Sequence, residues 1–316
     1  MNEVIELNNL TKKYSVQQSN AVDHVSFDVK EGEFFTLLGP NGAGKTTIIS
    51  ILTTTLSKTS GDIKIFGLDL EKNSANIRSQ LGIIFQKPSL DLNLTAEENI
   101  RFHAILYGLY SFRPMYSLMP KVYKEKVNVL SDLLDIRKEI FKPVRTFSGG
   151  MKRKLEIIRS LMHEPGILFL DEPTTGLDPQ SRKHLWEYLI EVQEQKNTTI
   201  FLTTHYLEEA EKSNRVCIIN KGKIIEIGSP QEIKGKLTEE YLLIDTADEV
   251  HLLIELANKN IKYYKDNKQF KLPLNHQQIH ELIKSIDTPL TNITIHQPTL
   301  GEAYIEIIKE DKENEE

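Results

Sequence analysis

The 316-residue chain has a single cysteine, Cys217. An intramolecular disulfide is therefore excluded, which fits a reducing compartment. Cys217 lies in the apolar run 216–219 and reads as a buried, inert thiol. No apolar run approaches the ~18 residues needed to cross a bilayer. Residues 1–14 alternate apolar and polar and lack the basic start and apolar block of a signal peptide. Any membrane role is therefore expected to need another chain to do the spanning. Basic charge is not in surplus: Lys and Arg number 39 against 45 Asp and Glu, a net charge of −6. No nucleic-acid partner is expected from that balance. Internal repeats and sustained heptads are also missing, which excludes solenoids and long coiled coils.

What is present suits a globular chain of one large domain or two ordinary ones, with 39% hydrophobic and 27% charged residues. Short β-rich runs at 4–7, 21–29 and 34–38 lead into a glycine-rich turn and a helix over 44–52. Further strands are expected at 61–65 and 82–85, and a mainly helical stretch from about 95 to 162. There Val127, Leu130, Leu133 and Leu134 share one face at helical spacing. The apolar run 167–170 has the length and composition of a strand buried on both faces. Helix 181–195, strand 198–203, helix 207–212 and strand 216–219 complete an α/β pattern, which implies a mixed, mostly parallel sheet flanked by helices.

Composition shifts at Gly228-Ser229-Pro230, where a domain boundary is placed. Beyond it the elements read strand 241–244, helix 248–258, strand 261–264, strand 269–272, helix 277–286, strand 292–296 and helix 300–308. That order is βαββαβ plus one helix, so residues 229–309 read as a small α+β, ferredoxin-like domain. Residues 310–316 are nearly all charged and are expected to be disordered.

Gly39-Pro40-Asn41-Gly42-Ala43-Gly44-Lys45-Thr46 fits the phosphate-loop pattern G-x-x-x-x-G-K-[ST], after a strand and before a helix, with Thr47 following. Its glycines let backbone N–H groups turn inward around phosphate, and the helix N-terminus adds its positive dipole end. Lys45 is placed to reach the β- and γ-phosphates of a nucleotide, and the Thr46 hydroxyl to ligate Mg²⁺. The run 167–170 ends in Asp171 and Glu172. In a parallel sheet ligands gather at the carboxyl ends of strands, so Asp171 suits the magnesium and Glu172 the attacking water, as general base.

Phe147-Ser148-Gly149-Gly150-Met151-Lys152, about twenty residues before Asp171, resembles the signature motif of ATP-binding cassette (ABC) proteins. Other stations match in order. Gln86 resembles the family's glutamine loop, Thr175-Gly176-Leu177-Asp178 its aspartate loop, His205 its switch histidine and Tyr14 its adenine-stacking aromatic. The resemblance spans residues 3 to about 228 and implies a phosphate-loop NTPase cassette over 1–228, with an inserted helical subdomain at about 87–160. It implies that two cassettes, two copies or a close paralogue, pair head to tail around two MgATP. Ser148, Gly149 and Gly150 of one copy, with Asp178, would then complete the site at Lys45 of the other. Gln86 would touch magnesium or water, and His205 the γ-phosphate. Plainer readings stand beside these: Tyr14 as a core aromatic, Gln86 as a surface amide, His205 as a structural histidine, and Asp178 and Ser148 as helix N-caps.

Several local stretches resemble the daunorubicin-resistance type of drug-exporter ATPase. They are Phe102-His103-Ala104 with Leu106-Tyr107-Gly108, the run 147–158, the run 201–210 and the segment 297–304. The resemblance implies a transport ATPase on the inner face of the cell membrane, in the cytoplasm, driving separate polytopic permease subunits. The alternative is a soluble ATP-driven switch acting on a protein or nucleic acid. Three departures stand out. Asn214 replaces the usual aspartate before Arg215, which puts a structural ion pair in doubt. Gly301 and Ala303 weaken the C-terminal segment. Residues 111–120, with Phe112, Pro114, Met115, Tyr116 and Met119, read as an insertion. Its aromatics and methionines suit recognition of the permease, or packing on its own subdomain.

Overall fold

The computed structural model describes residues 2–15, 19–86, 89–237, 240–266, 269–274, 279–296 and 299–313. The chain divides into two compact units, Met1–Ile227 and Gly228–Glu316. In chain order the first runs β1 (Glu3–Lys12), β2 (Val22–Lys30), β3 (Phe34–Leu38), α1 (Lys45–Leu52), β4 (Ser60–Ile65), β5 (Leu68–Asp69), α2 (Ser74–Ser79) and β6 (Leu81–Ile84). It continues with α3 (Ala96–Leu106), α4 (Lys121–Leu133), α5 (Gly149–Leu161), β7 (Ile167–Asp171), α6 (Pro179–Lys196), β8 (Thr199–Thr204), α7 (Leu207–Ala210), β9 (Arg215–Asn220) and β10 (Lys223–Gly228).

The mostly parallel sheet expected from the sequence is present, together with a second sheet that was not foreseen. One is antiparallel, in the order β2-β1-β4-β5. The other has the order β10-β9-β3-β8-β7-β6, with parallel pairing from β9 through β6. Within the antiparallel sheet no helix separates β1 from β2 or β4 from β5, so short links let these neighbours pair antiparallel. In the six-stranded sheet every residue of β3, β7 and β8 is buried, as parallel sheets covered on both faces require. The Phe201 ring stands 5.3 Å from those of both Phe35 and Phe169, with Phe27 stacked 5.1 Å from Phe35. Each such burial contributes about 1.5–3 kcal/mol, and together they fix where the strand ends stand. Cys217 is in this core, and burial pushes its thiol up to about 12, so the thiolate is suppressed.

Helices α3, α4 and α5 build the helical stretch, packing Ile100, Ala104, Val127, Leu130, Leu155 and Ile158 into one apolar cluster. Thr95 starts α3 with a capping box to Glu98. Residues 87–88, where the helical subdomain was placed to begin, lie outside the described residues. Within 111–120, Met119 is buried and Tyr116 packs edge-on to Tyr123 and Phe141 at 6.2 and 5.1 Å. Phe112 and Met115 stay 62% and 57% exposed. The segment thus divides between an anchored end and an outward apolar end. The doubted ion pair is present in another form: Arg215 pairs with Asp28 at 3.0 Å and Glu33 at 2.9 Å, while Asn214 Oδ1 accepts from the Phe34 N–H at 2.8 Å. Among the described residues no helix is long and apolar enough to cross a membrane.

The second unit holds α8 (Pro230–Leu237), β11 (Tyr241–Thr246), α9 (Glu249–Asn258), β12 (Tyr264–Asp266), β13 (Gln269–Pro273), α10 (Ile279–Lys284), β14 (Leu290–His296) and α11 (Leu300–Glu313). Its sheet has the order β12-β13-β11-β14 and antiparallel pairs, which is the ferredoxin-like arrangement. Leu242, Ile244, Phe270 and Leu272 of the sheet pack on Leu252, Leu256 and Leu282 of the helices. α8 was not foreseen. β12 begins at Tyr264, three residues later than expected. α11 carries helix through 310–313, which were expected to be disordered; Glu and Lys are good helix formers and extend a helix already started by packing. The expected helix residues 277–278, the motif residues 297–298 and the tail residues 314–316 lie outside the described residues.

Candidate active site

The turn from β3 to α1 wraps a space from below. Lys45, buried, folds its Nζ back onto Gly39 O at 2.6 Å and Pro40 O at 3.0 Å. Burial holds this ammonium below the usual lysine range, opposed by the Glu172 and Asp171 charges. Gly44 caps α1 at φ 107°, and a Cβ there would stand 2.6 Å from Ala21 O. Only glycine satisfies both demands. Gly44→Ala is expected to lower stability by about 1–3 kcal/mol, read from the urea midpoint; an unchanged midpoint would refute the strain.

An open cleft of about 930 Å³ lies above the loop. It is lined by Tyr14, Asn41, Gly42, Gly44, Lys45, Thr46, Thr47, Gln86 and Glu172. Ser19, Asn20, Ala21 and Lys221 also line it and carry no signal in the sequence. Tyr14 is 36% exposed, with its hydroxyl 3.4 Å from Thr47 Oγ1 and the Lys12 Nζ 5.4 Å from its ring. It is therefore not a core aromatic. Gly39 and Ala43 shape the loop without lining the cleft: Gly39 N–H donates to Thr204 O at 3.4 Å and Ala43 N–H to Pro40 O at 3.2 Å.

β7 delivers the acids. Asp171, buried, accepts from Thr203 Oγ1 at 2.5 Å and from Thr46 Oγ1 at 3.4 Å. Burial raises its carboxyl above the ordinary range, against those hydroxyls. Glu172 has φ 47°, a left-handed conformation uncommon for a non-glycine residue. Its Oε2 accepts from Gln86 Nε2 at 3.1 Å and its Oε1 meets His205 Nδ1 at 3.0 Å. Gln86 and His205 thus converge on one carboxylate from β6 and β8. A buried glutamate that was not singled out, Glu209, accepts from Thr174 Oγ1 and, at 2.6 Å, from Thr204 Oγ1. It ties the segment after β7 to the segment before His205.

Thr46, Asp171 and Gln86 offer a hydroxyl, a carboxylate and an amide oxygen within one corner. These hard oxygens suit magnesium, which keeps waters and takes substrate phosphates rather than an all-protein cage. Among the described residues no group of three or more His, Cys, Asp or Glu is placed to hold a metal ion.

Ser148, Gly149, Gly150 and Asp178 do not line this cleft. Ser148 caps α5 by accepting from Met151 N–H at 3.2 Å. Asp178 caps α6 by accepting from Ser181 N–H at 2.9 Å, and bonds to Ser181 hold its carboxyl down to about 2. A Cβ on Gly149 would meet nothing within 4 Å, whereas one on Gly150 would stand 2.9 Å from Gly176 O. The Ser148 helix start is thus a second anion-suited corner, separate from the Lys45 cleft within one chain.

The sequence profile of the family described as ABC transporter matches residues 22–175. The linearmycin resistance ATP-binding protein LnrL of Bacillus subtilis is 33% identical over 285 residues, covering 90% of this chain and 85% of that one. The probable multidrug ABC transporter ATP-binding protein YbhF of Escherichia coli is 40% identical over 233 residues, covering 74% of this chain. The match spans only 38% of YbhF's length. Among solved structures, a dimeric post-hydrolysis state of the ATP-binding cassette MJ0796 bound to ADP and Pi superposes with a TM-score of 0.64 at 25% identity. That likeness covers 71% of this chain and 98% of the other.

Proposed function

The chain belongs to the ABC transporter family, and from that premise we propose that it is the ATP-hydrolysing subunit of an exporter. Two copies, or one copy and a close paralogue, close around two MgATP and drive a separate polytopic permease from the inner face of the cell membrane. The observation that carries this is the division of the site. Lys45, Gln86 and Glu172 line one cleft, with His205 against Glu172, while the Ser148 corner lies outside it. A second copy is the natural source of that missing corner. The dimeric cassette bound to ADP and Pi supports the pairing and the hydrolysis. The names of LnrL and YbhF support export.

Tyr14 stacks on the adenine. Lys45 leaves its loop carbonyls for the β- and γ-phosphate oxygens, and the N–H groups of the loop and α1 cradle them. Thr46, Asp171 and Gln86 would hold a magnesium ion, which would supply charge neutralisation to the phosphates. Glu172 accepts a proton from the water as its oxygen attacks the γ-phosphorus and the β–γ bridging bond breaks toward ADP. His205, with Nδ1 on Glu172, presents Nε2 toward the γ-phosphate. The partner's Ser148 hydroxyl and glycine N–H groups stabilise the charge that develops.

The exposed Phe112 and Met115 support a role for residues 111–120 in recognising the permease. Deleting 111–120 is expected to abolish co-purification with the permease while leaving ATP binding intact. Full co-purification would refute that role. The function as a whole is tested by purifying tagged Glu172→Gln protein from native membranes in MgATP. The expected companion is a polytopic membrane protein in stoichiometric amount. Recovery only from the soluble fraction, with nucleic acid or a cytosolic protein, would instead favour an ATP-driven switch.

A further inference from the structure

Arg153 lies on α5, five residues after the Ser148 cap, and its side chain is buried. All five N–H groups of a guanidinium have acceptors here. Nε donates to Pro173 O at 3.0 Å. Nη2 donates to Asp171 O at 2.9 Å and Glu172 O at 3.1 Å. Nη1 donates to Phe85 O and to Glu156 Oε2, the latter at 3.2 Å. Three consecutive carbonyls, 171 to 173, therefore end on one rigid fork. The fourth carbonyl belongs to the residue before Gln86.

Those carbonyls flank a strained residue of the site. A non-glycine residue at positive φ costs on the order of 1–3 kcal/mol and persists only where its surroundings over-determine it. Glu172 has φ 47°. Its other backbone bonds are Glu172 N–H to Thr203 O at 3.1 Å and Thr175 N–H to Glu172 O at 3.3 Å. Neither reaches the carbonyls of Asp171 or Pro173. The Arg153 fork does, and it also sets the backbone that carries Gln86, whose amide meets Glu172 at 3.1 Å. Glu156, buried beside it, compensates the charge and accepts from Ser89 N–H at 2.7 Å.

We propose that Arg153 is a positioning residue for hydrolysis: one guanidinium holds the backbones of Glu172 and Gln86 so that the carboxylate faces the attacking water. This rests on the reading of Glu172 as general base. Arg153 does not line the cleft and spends its donors on protein acceptors, so ATP affinity is not its concern. Lysine in its place keeps the charge but offers three donors from a point and no planar fork.

The test is steady-state and single-turnover ATPase kinetics of Arg153→Lys, with ATP affinity and thermal midpoint measured alongside. Since misplacement by about 1 Å can cost ~10²-fold in rate, kcat is expected to fall about tenfold to a hundredfold with KM and ATP affinity nearly unchanged. In the Glu172→Gln background the same substitution is expected to add little further loss. A lowered midpoint with full kcat at a temperature where the variant is folded would overturn the proposal. So would a loss that multiplies that of Glu172→Gln. If Arg153→Lys does not fold, Glu156→Gln loosens the same guanidinium and is expected to lower kcat by a smaller factor at constant KM; unchanged kcat there also overturns it. The two readings fail separately. Wild-type turnover in Glu172→Gln alone refutes the base assignment. A dead Glu172→Gln beside a fully active Arg153→Lys refutes only the positioning.

Discussion

Glu172→Gln is expected to lose about 10²–10⁴ in single-turnover hydrolysis, the usual contribution of a positioned general base, while binding ATP as tightly as the unsubstituted protein. The change is nearly isosteric. It removes the proton acceptor and keeps an amide oxygen that can accept from Gln86, as Oε2 does now at 3.1 Å. The carboxylate is only 11% exposed, and His205 sits 3.0 Å from it, so bulk water is a poor substitute base. Phosphate release after rapid mixing with radiolabelled ATP measures the step. Hydrolysis within threefold of the unsubstituted rate would remove Glu172 from the chemistry and leave His205 or the phosphates as proton acceptor.

Lys45→Ala acts earlier. The Nζ is held by Gly39 O at 2.6 Å and Pro40 O at 3.0 Å, inside the loop where the phosphates would enter. Removing the ammonium deletes a charge-assisted hydrogen bond worth about 1.5–3 kcal/mol, or roughly tenfold to over a hundredfold in affinity. Turnover is expected to fall by a further ~10²–10³, because the same charge stabilises the transferring phosphoryl group. Titration calorimetry with ATP separates this from Glu172→Gln: one variant binds poorly, the other binds well and stalls. ATP affinity within twofold in Lys45→Ala would place the phosphates elsewhere.

The two substitutions probe parts of the site that differ in how plainly the sequence carried them. The phosphate loop is local. Gly44 at φ 107° and the helix start at Lys45 follow from consecutive residues, so the pattern 39–46 could be read directly. The acids at 171 and 172 were legible because β7 is buried throughout and ends there. The second unit was legible for a similar reason. Its element order determines few sheet arrangements, and β12-β13-β11-β14 is the ferredoxin-like one.

What escaped the sequence depends on distant partners. Arg153 meets Phe85 O across 68 positions and Pro173 O across 20. In the run Met151-Lys152-Arg153-Lys154 it looks like any other cation on a helix. Glu209 is hidden in the same way, accepting from Thr174 across 35 positions. The antiparallel sheet of the first unit escaped because strand pairing is set by connections and packing rather than by periodicity. β10 was missed because its residues are mostly half-buried, without the alternation that marks a strand. The ion pair doubted at Asn214 shows the same limit: Arg215 finds Asp28 and Glu33, far away in sequence.

Head-to-tail pairing is the claim on which the mechanism depends, since the cleft of one chain lacks the Ser148 corner. It is tested most directly by sedimentation of Glu172→Gln with and without MgATP, with bound nucleotide counted in the sedimenting species. The account predicts a doubling of mass on adding MgATP, two ATP per dimer, and loss of the dimer in the double variant carrying Ser148→Arg, which still binds ATP as a monomer. A species that stays monomeric at saturating MgATP, with one ATP bound, would contradict the shared site.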